Sequence, residues 1–235
     1  MLGERNNQVL SAVVREYIRT GHPVASRELT GRYRLQVSPA TVRNSMLELN
    51  DLGYLEQPHT SAGRVPTDRG YRYFVDYLVS NTGLKEKEEA LLDEVFHVDA
   101  EEEFVRALGR TLAELTGAFT ATGSTDRDLW YKTGLSGVLG EPELNTEEAI
   151  RMFGTLADEL EEKITGLIDS LEDDVGEMEQ TFIGGENPLR EARLVSMMLS
   201  SWHHPRGFAG FVVMVAPRRT NYEKHMAIFR RLRQF

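Results

Sequence analysis

Apolar side chains recur at helical spacing in four stretches of the first 80 residues, and two shorter stretches between them have a strand-like pattern. Gly21-His22-Pro23 ends the first helix, and Ser26 is the predicted N-cap of the second. Ser38 followed by Pro39 is a strong start signal for the third helix, which Gly53 ends in the C-cap position. The predicted elements are helices over 4–20, 26–34 and 39–52, strands over 54–57 and 64–66, and a fourth helix from 67. This order is that of a winged helix-turn-helix.

The pattern changes after residue 80. The segment 80–90 is polar and charged, which indicates a hinge between two parts of the chain. Beyond it the pattern predicts helices over about 86–97, 100–118 and 146–179, a loop over 120–128, short strands within 182–183, 194–199 and 208–215, and a basic amphipathic helix over 222–235. The second part of the chain is therefore predicted to be mixed α+β.

The composition is that of an ordinary soluble protein, with 40% hydrophobic and 27% charged residues. No apolar run approaches the roughly 20 residues of a membrane span, and the first residues lack the basic-then-apolar layout of a signal peptide. The absence of cysteine excludes disulfides and thiolate metal sites. Together these features predict a cytoplasmic protein that does not associate with a membrane.

Charge is distributed unevenly along the chain. The formal net charge is -10, but residues 1–77 carry ten Arg and no Lys against eight acidic residues. Residues 78–235 carry 17 basic and 29 acidic residues. A protein that binds phosphates needs only a local basic face, so the acidic total does not exclude nucleic acid. The exclusive use of arginine in the first part is suited to planar, bidentate hydrogen bonds.

The third predicted helix has the pattern of a helix that reads DNA. Val42, Met46 and Leu49 fall on one side, which would hold the helix against a core. The first turns then offer candidate base-reading residues, which are Ala40, Thr41, Arg43 and Asn44. Such residues at the start of a recognition helix enter the major groove, where Arg can bond guanine and Asn can bond adenine. Arg43 is equally compatible with a phosphate contact or a salt bridge.

The predicted hairpin supplies a second candidate contact. Its tip is rich in hydroxyl groups and small residues, so it can lie along the DNA backbone or in the adjacent minor groove. The candidate phosphate and wing residues are Ser38, Arg27, Arg32, His59, Thr60, Ser61, Arg64 and Arg69. Winged helices also mediate protein contacts, so a protein-interaction module remains an alternative, and His59 is equally compatible with a simple turn.

Long motifs in the chain resemble one family of bacterial regulators. The stretch VSPATVRNSMLELNDLGYLEQPHTSAGRVPTDRGYRYFVD and the preceding REYIRTGHPVASREL resemble the HrcA-type heat-inducible transcription repressors of bacteria. Weaker similarity to that family's GAF-like regulatory domain returns at 134–144, 182–189 and 207–226. The resemblance implies a winged helix-turn-helix DNA-binding domain over 1–79, a helical linker or dimerisation region over 80–118, and a trimmed GAF-like α+β domain over 119–235.

The resemblance also implies partners. It predicts a homodimer that binds an inverted-repeat operator in double-stranded DNA, represses chaperone operons and is released on heat stress, with a GroEL-type chaperonin sustaining its activity. This chain departs from the family because only Thr120–Tyr131 fills the place of a longer middle with a dimerising segment. The apolar stripes over 104–115 and 150–171 are candidates for a dimer interface, or for internal packing.

Other kinds of site find little support in the sequence. Gly184-Gly185 lacks the ending of a phosphate loop and is better explained by a turn. The acidic runs near 159–162 and 172–174 fit a solvated helix face, and His203-His204 fits a loop. With no nucleophile elbow, no H-E-x-x-H motif and no thiol, we expect no enzyme, no metal and no cofactor. A regulator whose second domain senses a small molecule is the main alternative.

Overall fold

A computed structural model describes residues 1–235 apart from Arg34, Gln36, Ser61, 81–82, 126–128 and 171–177, and it describes the backbone alone at 169–170. The chain divides into two compact units, Met1–Ser80 and Asn81–Phe235. In the described part of both units, no helix is long and apolar enough to cross a membrane.

The first unit contains helices and a small hairpin. Its elements are α1 Glu4–Thr20, α2 Ser26–Arg32, α3 Pro39–Asp51, β1 Leu55–Glu56, β2 Val65–Pro66 and α4 Asp68–Tyr73, which continues as a π-helical turn over Phe74–Leu78. The two strands pair antiparallel, with Leu55 opposite Pro66. The core is formed by fully buried side chains from every helix, including Leu10, Val13, Leu29, Val42, Leu49 and Phe74. Their burial supplies most of the free energy that holds the short helices together.

Two predicted helix ends are displaced by one residue. The N-cap of α2 is Ala25 and not Ser26, because the Glu28 carboxylate accepts the Ala25 N–H at 3.2 Å and so closes the first turn without a hydroxyl. The C-cap of α3 is Leu52, and Gly53 follows it in a left-handed conformation with φ of 77°. Glycine is suited to this position because it adopts positive φ without steric cost.

An isolated antiparallel β-bridge connects the hairpin to the segment between α1 and α2. The N–H and C=O groups of Val24, between α1 and α2, exchange two hydrogen bonds of 2.9 Å with Arg64. Gly63 allows this close approach, because a Cβ atom there would lie 2.3 Å from the Val24 carbonyl oxygen. The hairpin is therefore fixed relative to α2.

Replacing Gly63 by alanine is expected to lower the free energy of unfolding by about 2 kcal/mol, since either the backbone at Val24 or the hairpin must move. Thermal or denaturant unfolding measures this change. Gly31→Ala is the matched control, because Gly31 lies in α2 with nothing within 4 Å of an added Cβ. The control variant should be as stable as the natural chain or up to about 1 kcal/mol more stable. Equal stability of Gly63→Ala would contradict this view of the hairpin.

The second unit is built on a five-stranded sheet. Its elements are α5 Glu86–Val95, α6 Glu101–Thr116, β3 Phe119–Ser124, β4 Trp130–Thr133, α7 Leu135–Leu139, α8 Glu147–Ser170, β5 Glu179–Ile183, β6 Val195–His203, β7 Ala209–Pro217 and α9 Tyr222–Leu232. The strands are antiparallel in the order β4-β3-β7-β6-β5. One face of the sheet packs against α8, and α6 and α9 contact β3 and β6. The unit is thus mixed α+β, as predicted.

The prediction of a loop over 120–128 is wrong for most of its length, because residues Phe119–Ser124 form the buried strand β3. After Phe119 the strand contains only Thr, Ala, Gly and Ser, which are small and in part polar, so it lacks the alternation of large apolar residues by which strands are recognised. The Thr122 hydroxyl donates to the Val105 carbonyl of α6 at 2.9 Å, so the buried polar group is satisfied. Residues 126–128 lie outside the described part of the chain.

The predicted long acidic helix does not extend as far as 179. Helix α8 is described over Glu147–Ser170 and Glu179 begins β5, whereas residues 171–177, Leu171 among them, lie outside the described residues. Ile150, expected on the apolar stripe, is 49% exposed. Most of that stripe and most of the α6 stripe are buried within the unit, at Phe153, Leu156, Leu160, Ile164, Phe104, Leu108 and Leu112, whereas Leu167 and Leu115 are half-buried. The two stripes therefore serve mainly internal packing and leave little apolar surface for a dimer interface.

Candidate nucleic-acid interface

One side of helix α3 is buried against the core, and the N-terminus of the helix is capped. Val42, Met46 and Leu49 are buried, as is Ser45, whose hydroxyl accepts a hydrogen bond from Arg5 Nε at 3.0 Å. At the N-terminus, Ser38 Oγ accepts the Thr41 N–H at 3.1 Å. This cap and Pro39 at the first position fix where the helix begins.

The opposite side of α3 carries the four candidate base-reading residues. Ala40, Arg43 and Asn44 are exposed, and Thr41 is half-buried with its hydroxyl 2.9 Å from that of Ser38. Arg43 forms no ion pair with any residue that the structure describes. A guanidinium and an amide thus stand one residue apart, both open to a ligand. Ser38 and Thr41 are already engaged in the helix cap, so each has less hydrogen-bonding capacity for DNA.

The tip of the hairpin is preformed by one side chain. Gln57 Nε2 donates to the carbonyl oxygens of Thr60 and Ala62 at 3.0 and 2.9 Å, and the Ala62 N–H donates to the His59 carbonyl at 2.8 Å. His59 and Thr60 are exposed, whereas the candidate residue Ser61 lies outside the described residues. Sequence reasoning misses the role of Gln57, because nothing in the pattern separates it from any other polar residue before a proline.

A groove of about 420 Å³ brings α3, the hairpin and the start of α2 together. Arg43, Thr60 and Arg64 line it, together with Ser26 and Leu47. Arg64 Nε is buried and has no hydrogen-bond partner among the described residues. Two guanidinium groups without carboxylate partners in the described part of the chain therefore lie beside one groove, which is suited to an anionic ligand.

The two arginines of α2 differ in their surroundings. Arg27 is exposed, and its side chain forms no ion pair within the described part of the chain. Arg32 lies 3.7 Å from the carboxylate of Glu16, which is 5% exposed and also accepts hydrogen bonds from Arg19 at 2.6 Å and Tyr33 at 3.1 Å. Arg32 is therefore partly neutralised by a buried carboxylate of α1.

Hydrogen bonding and burial shift the pKa of Glu16 in opposite directions and the pKa of Tyr33 in the same direction. The hydrogen bond from Arg19 holds the pKa of the Glu16 carboxyl below its usual value, against the effect of burial. Burial, followed by the hydrogen bond to Glu16, raises the pKa of Tyr33 to about 12. The ionised form of Glu16 is thus favoured in the folded state, and it links α1 to α2 and the residue after it.

Replacing Glu16 by glutamine is expected to lower the free energy of unfolding by about 2 kcal/mol at neutral pH, because charge-assisted hydrogen bonds are removed. A carboxyl group with a lowered folded-state pKa contributes stability above its unfolded-state pKa, and this contribution is lost as the pH falls through the folded-state value. The difference between the two proteins should therefore narrow below about pH 4. Urea unfolding at several pH values measures it. Glu56→Gln, at an exposed carboxylate of β1, should show no such effect.

Arg69 has a structural task at the end of α3. Its Nη1 donates to the Leu52 carbonyl at 2.9 Å, and its guanidinium lies 4.6 Å from the centre of the Tyr54 ring. The cation thus satisfies a free carbonyl at the C-terminus of the helix, where positive charge is favourable. Its side chain remains partly exposed, so a phosphate contact would compete with this capping.

Comparison with known proteins gives one family. The family model described as "HrcA protein C terminal domain" matches residues 69–226. The heat-inducible transcription repressor HrcA of Pelotomaculum thermopropionicum is 45% identical over 117 residues, which are 49% of this chain and 34% of that protein. The protein of the same name from Moorella thermoacetica is 56% identical over 88 residues, which are 37% of this chain and 26% of that protein.

A solved structure has the same fold over the whole chain. It is the crystal structure of a hypothetical protein, with a TM-score of 0.78 and 20% sequence identity, covering 100% of this chain and 97% of the other. The sequence matches, in contrast, span only about a third of the length of the curated relatives. Since the family model covers more than half of the residues, the chain belongs to the HrcA family.

Proposed function

We propose that this protein is a sequence-specific transcription repressor of heat-shock operons, with a winged helix-turn-helix in its first unit and a GAF-like regulatory domain in its second. The observation that carries the proposal is the exposed face of α3. Arg43 and Asn44 stand free on a helix whose other side is buried, in a chain related to proteins named heat-inducible transcription repressors. A binding function with no catalytic step accounts for these features.

Recognition would divide between the helix and the hairpin. The first turns of α3 would enter the major groove, where Arg43 pairs with guanine and Asn44 with adenine. Arg64 and the hairpin tip would hold the backbone, since guanidinium and hydroxyl groups bind phosphate oxygens. Arg27 would add a phosphate contact from α2. The hydrogen bonds of Gln57 support this division, because a preformed tip loses little conformational entropy on binding.

The operator would be an inverted repeat bound by two copies of the chain. One winged helix spans only a half-site, and a two-fold dimer matches the symmetry of a palindrome. The copies would meet mainly through surface outside the two apolar stripes of α6 and α8, most of which are already buried. Heat would release the operator by lowering the folded fraction of the repressor, and a GroEL-type chaperonin would restore it.

A second candidate mode of release is binding of a small molecule. A groove of about 570 Å³ in the second unit is lined by the apolar residues Phe119, Leu135 and Leu139 and by the charged residues Lys132 and Asp158. Mixed lining of this kind is typical of ligand sites. A compound that raises the melting temperature and weakens operator binding together would favour this mode over direct heat inactivation.

The direct experiment is to select duplexes from a random library with the purified protein and to titrate the selected duplex against a scrambled control. We expect an inverted repeat to emerge and to bind at least about 1,000-fold more tightly than the control at physiological salt. Equal affinity for both duplexes would remove the specific-repressor proposal. Affinity for the duplexes that does not depend on salt, or no duplex binding at all, would favour a protein-interaction module instead.

A further inference from the structure

Leu47 is an exposed leucine on the face of α3 that carries the candidate base-reading residues. Its relative exposure is 45%, although the other apolar side chains of the helix centre, Val42, Met46 and Leu49, are buried. Scattered exposed leucines need no explanation. The position of this one is unusual, because it follows Ala40, Arg43 and Asn44 by seven, four and three residues and so lies on the same stripe.

We propose that Leu47 is a specificity-determining residue that contacts the 5-methyl group of a thymine in the operator. This inference rests on the proposed DNA-binding function. Leucine cannot form hydrogen bonds, so the feature of the major groove that it can distinguish is the thymine methyl. Burying that methyl against an apolar side chain is favourable, whereas the polar edges of the other bases would lose water without compensation.

The geometry of the helix places this contact beside the pairs read by its neighbours. Four residues span about 6 Å along a helix axis, and base pairs are stacked about 3.4 Å apart. Leu47 would therefore reach a thymine one or two base pairs from the one contacted by Arg43. Leu47 and Arg43 also line the same groove beside the hairpin, which supports a shared ligand.

Two carboxylates that follow Leu47 limit how far along α3 the proposed contact with DNA bases can extend. Asp51, one turn further along the stripe, is exposed and acidic, so it would be repelled by the phosphates. Glu48 is paired with Arg5 at 3.8 Å. Leu47 is therefore the last exposed position of the stripe without a carboxylate, since Asn50, three residues further along, is half-buried. Leu52 offers a matched control, since it is 43% exposed but lies about 140° further around the helix axis.

The test uses the operator selected by the full-length protein, with each thymine of a half-site replaced in turn by deoxyuridine. This change removes only the methyl group. The natural protein should lose about four-fold in affinity at one position of each half-site, as expected for one methyl-sized group. Leu47→Ala should bind the thymine and deoxyuridine duplexes equally at that position. Leu52→Ala should keep the four-fold response, and the melting temperature of each variant checks its folding.

The outcomes separate this inference from the proposed function. If the natural protein prefers the operator but shows no response to deoxyuridine, or if Leu47→Ala keeps the full response, the role of Leu47 is overturned and the repressor proposal stands. If Leu47→Ala binds DNA unchanged but loses an association with another protein, Leu47 belongs to a protein contact and the inference fails. If no duplex is preferred at all, both proposals fail together.

Discussion

Replacing Arg43 and Asn44 together by alanine is expected to reduce the preference for the operator over a scrambled duplex by about a hundred-fold. Each bidentate hydrogen-bonded contact to a base contributes about 1–3 kcal/mol of discrimination against the wrong base, and the double variant removes two such contacts. Both side chains are exposed, so the folded state should be almost unaffected. Titrations of the two duplexes, followed by fluorescence anisotropy at one fixed salt concentration, measure the ratio.

The control is Asn50→Ala, which makes the same kind of substitution seven residues after Arg43, near the C-terminal end of α3 and beyond the first turns that are proposed to enter the groove. It should preserve the preference for the operator. An unchanged ratio in the Arg43 and Asn44 double variant would mean that bases are read elsewhere. A fall in affinity for both duplexes by the same factor would assign these two residues to phosphate contacts.

Replacing Arg64 by alanine is expected to weaken binding to both duplexes alike, by about ten-fold at low salt. Its guanidinium carries a buried Nε without a hydrogen-bond partner among the described residues and lies beside the groove between α3 and the hairpin. A phosphate contact contributes affinity but carries no sequence information. The slope of log affinity against log salt should therefore become shallower by about one, because the variant neutralises one phosphate fewer.

Arg106→Ala, at an exposed arginine of α6 paired with Glu102, is the matched control for the loss of one positive charge. Its effect on the salt dependence should be far smaller. If Arg64→Ala changed the preference between duplexes and left the salt slope intact, Arg64 would be a base-reading residue. Unfolding of the variant at a lower temperature would instead indicate that the Arg64 side chain supports the hairpin, whose β-bridge to Val24 is formed by the Arg64 backbone.

Local signals explain why the first unit is largely predictable. Ser38 and Pro39 determine the start of α3 through a hydrogen bond and a fixed φ, and both act within one turn of the chain. The spacing of Val42, Met46 and Leu49 likewise contains the information about which face is buried. The predicted N-cap of α2 is wrong because a glutamate in the first turn replaces the expected hydroxyl.

Features that depend on distant residues could not be predicted. The strand β3 is polar, and its burial follows from pairing with β4 and β7 and from the hydrogen bond between Thr122 and Val105. The burial of the α8 stripe depends in the same way on strands that follow it in the chain. In the candidate site, the pairing of Arg32 with Glu16 and the capping task of Arg69 link residues 16 and 17 positions apart. No periodic pattern reports such contacts.

The proposed function depends on the free face of α3 meeting DNA. Amide chemical shifts of the full-length protein, recorded during titration with the selected operator, test this claim most directly. We expect the largest changes on residues 40–47 of α3 and on the hairpin residues from Gln57 to Arg64, while the amides of α8 stay unchanged. Large changes confined to the second unit, with α3 and the hairpin unaffected at saturating operator, would contradict it.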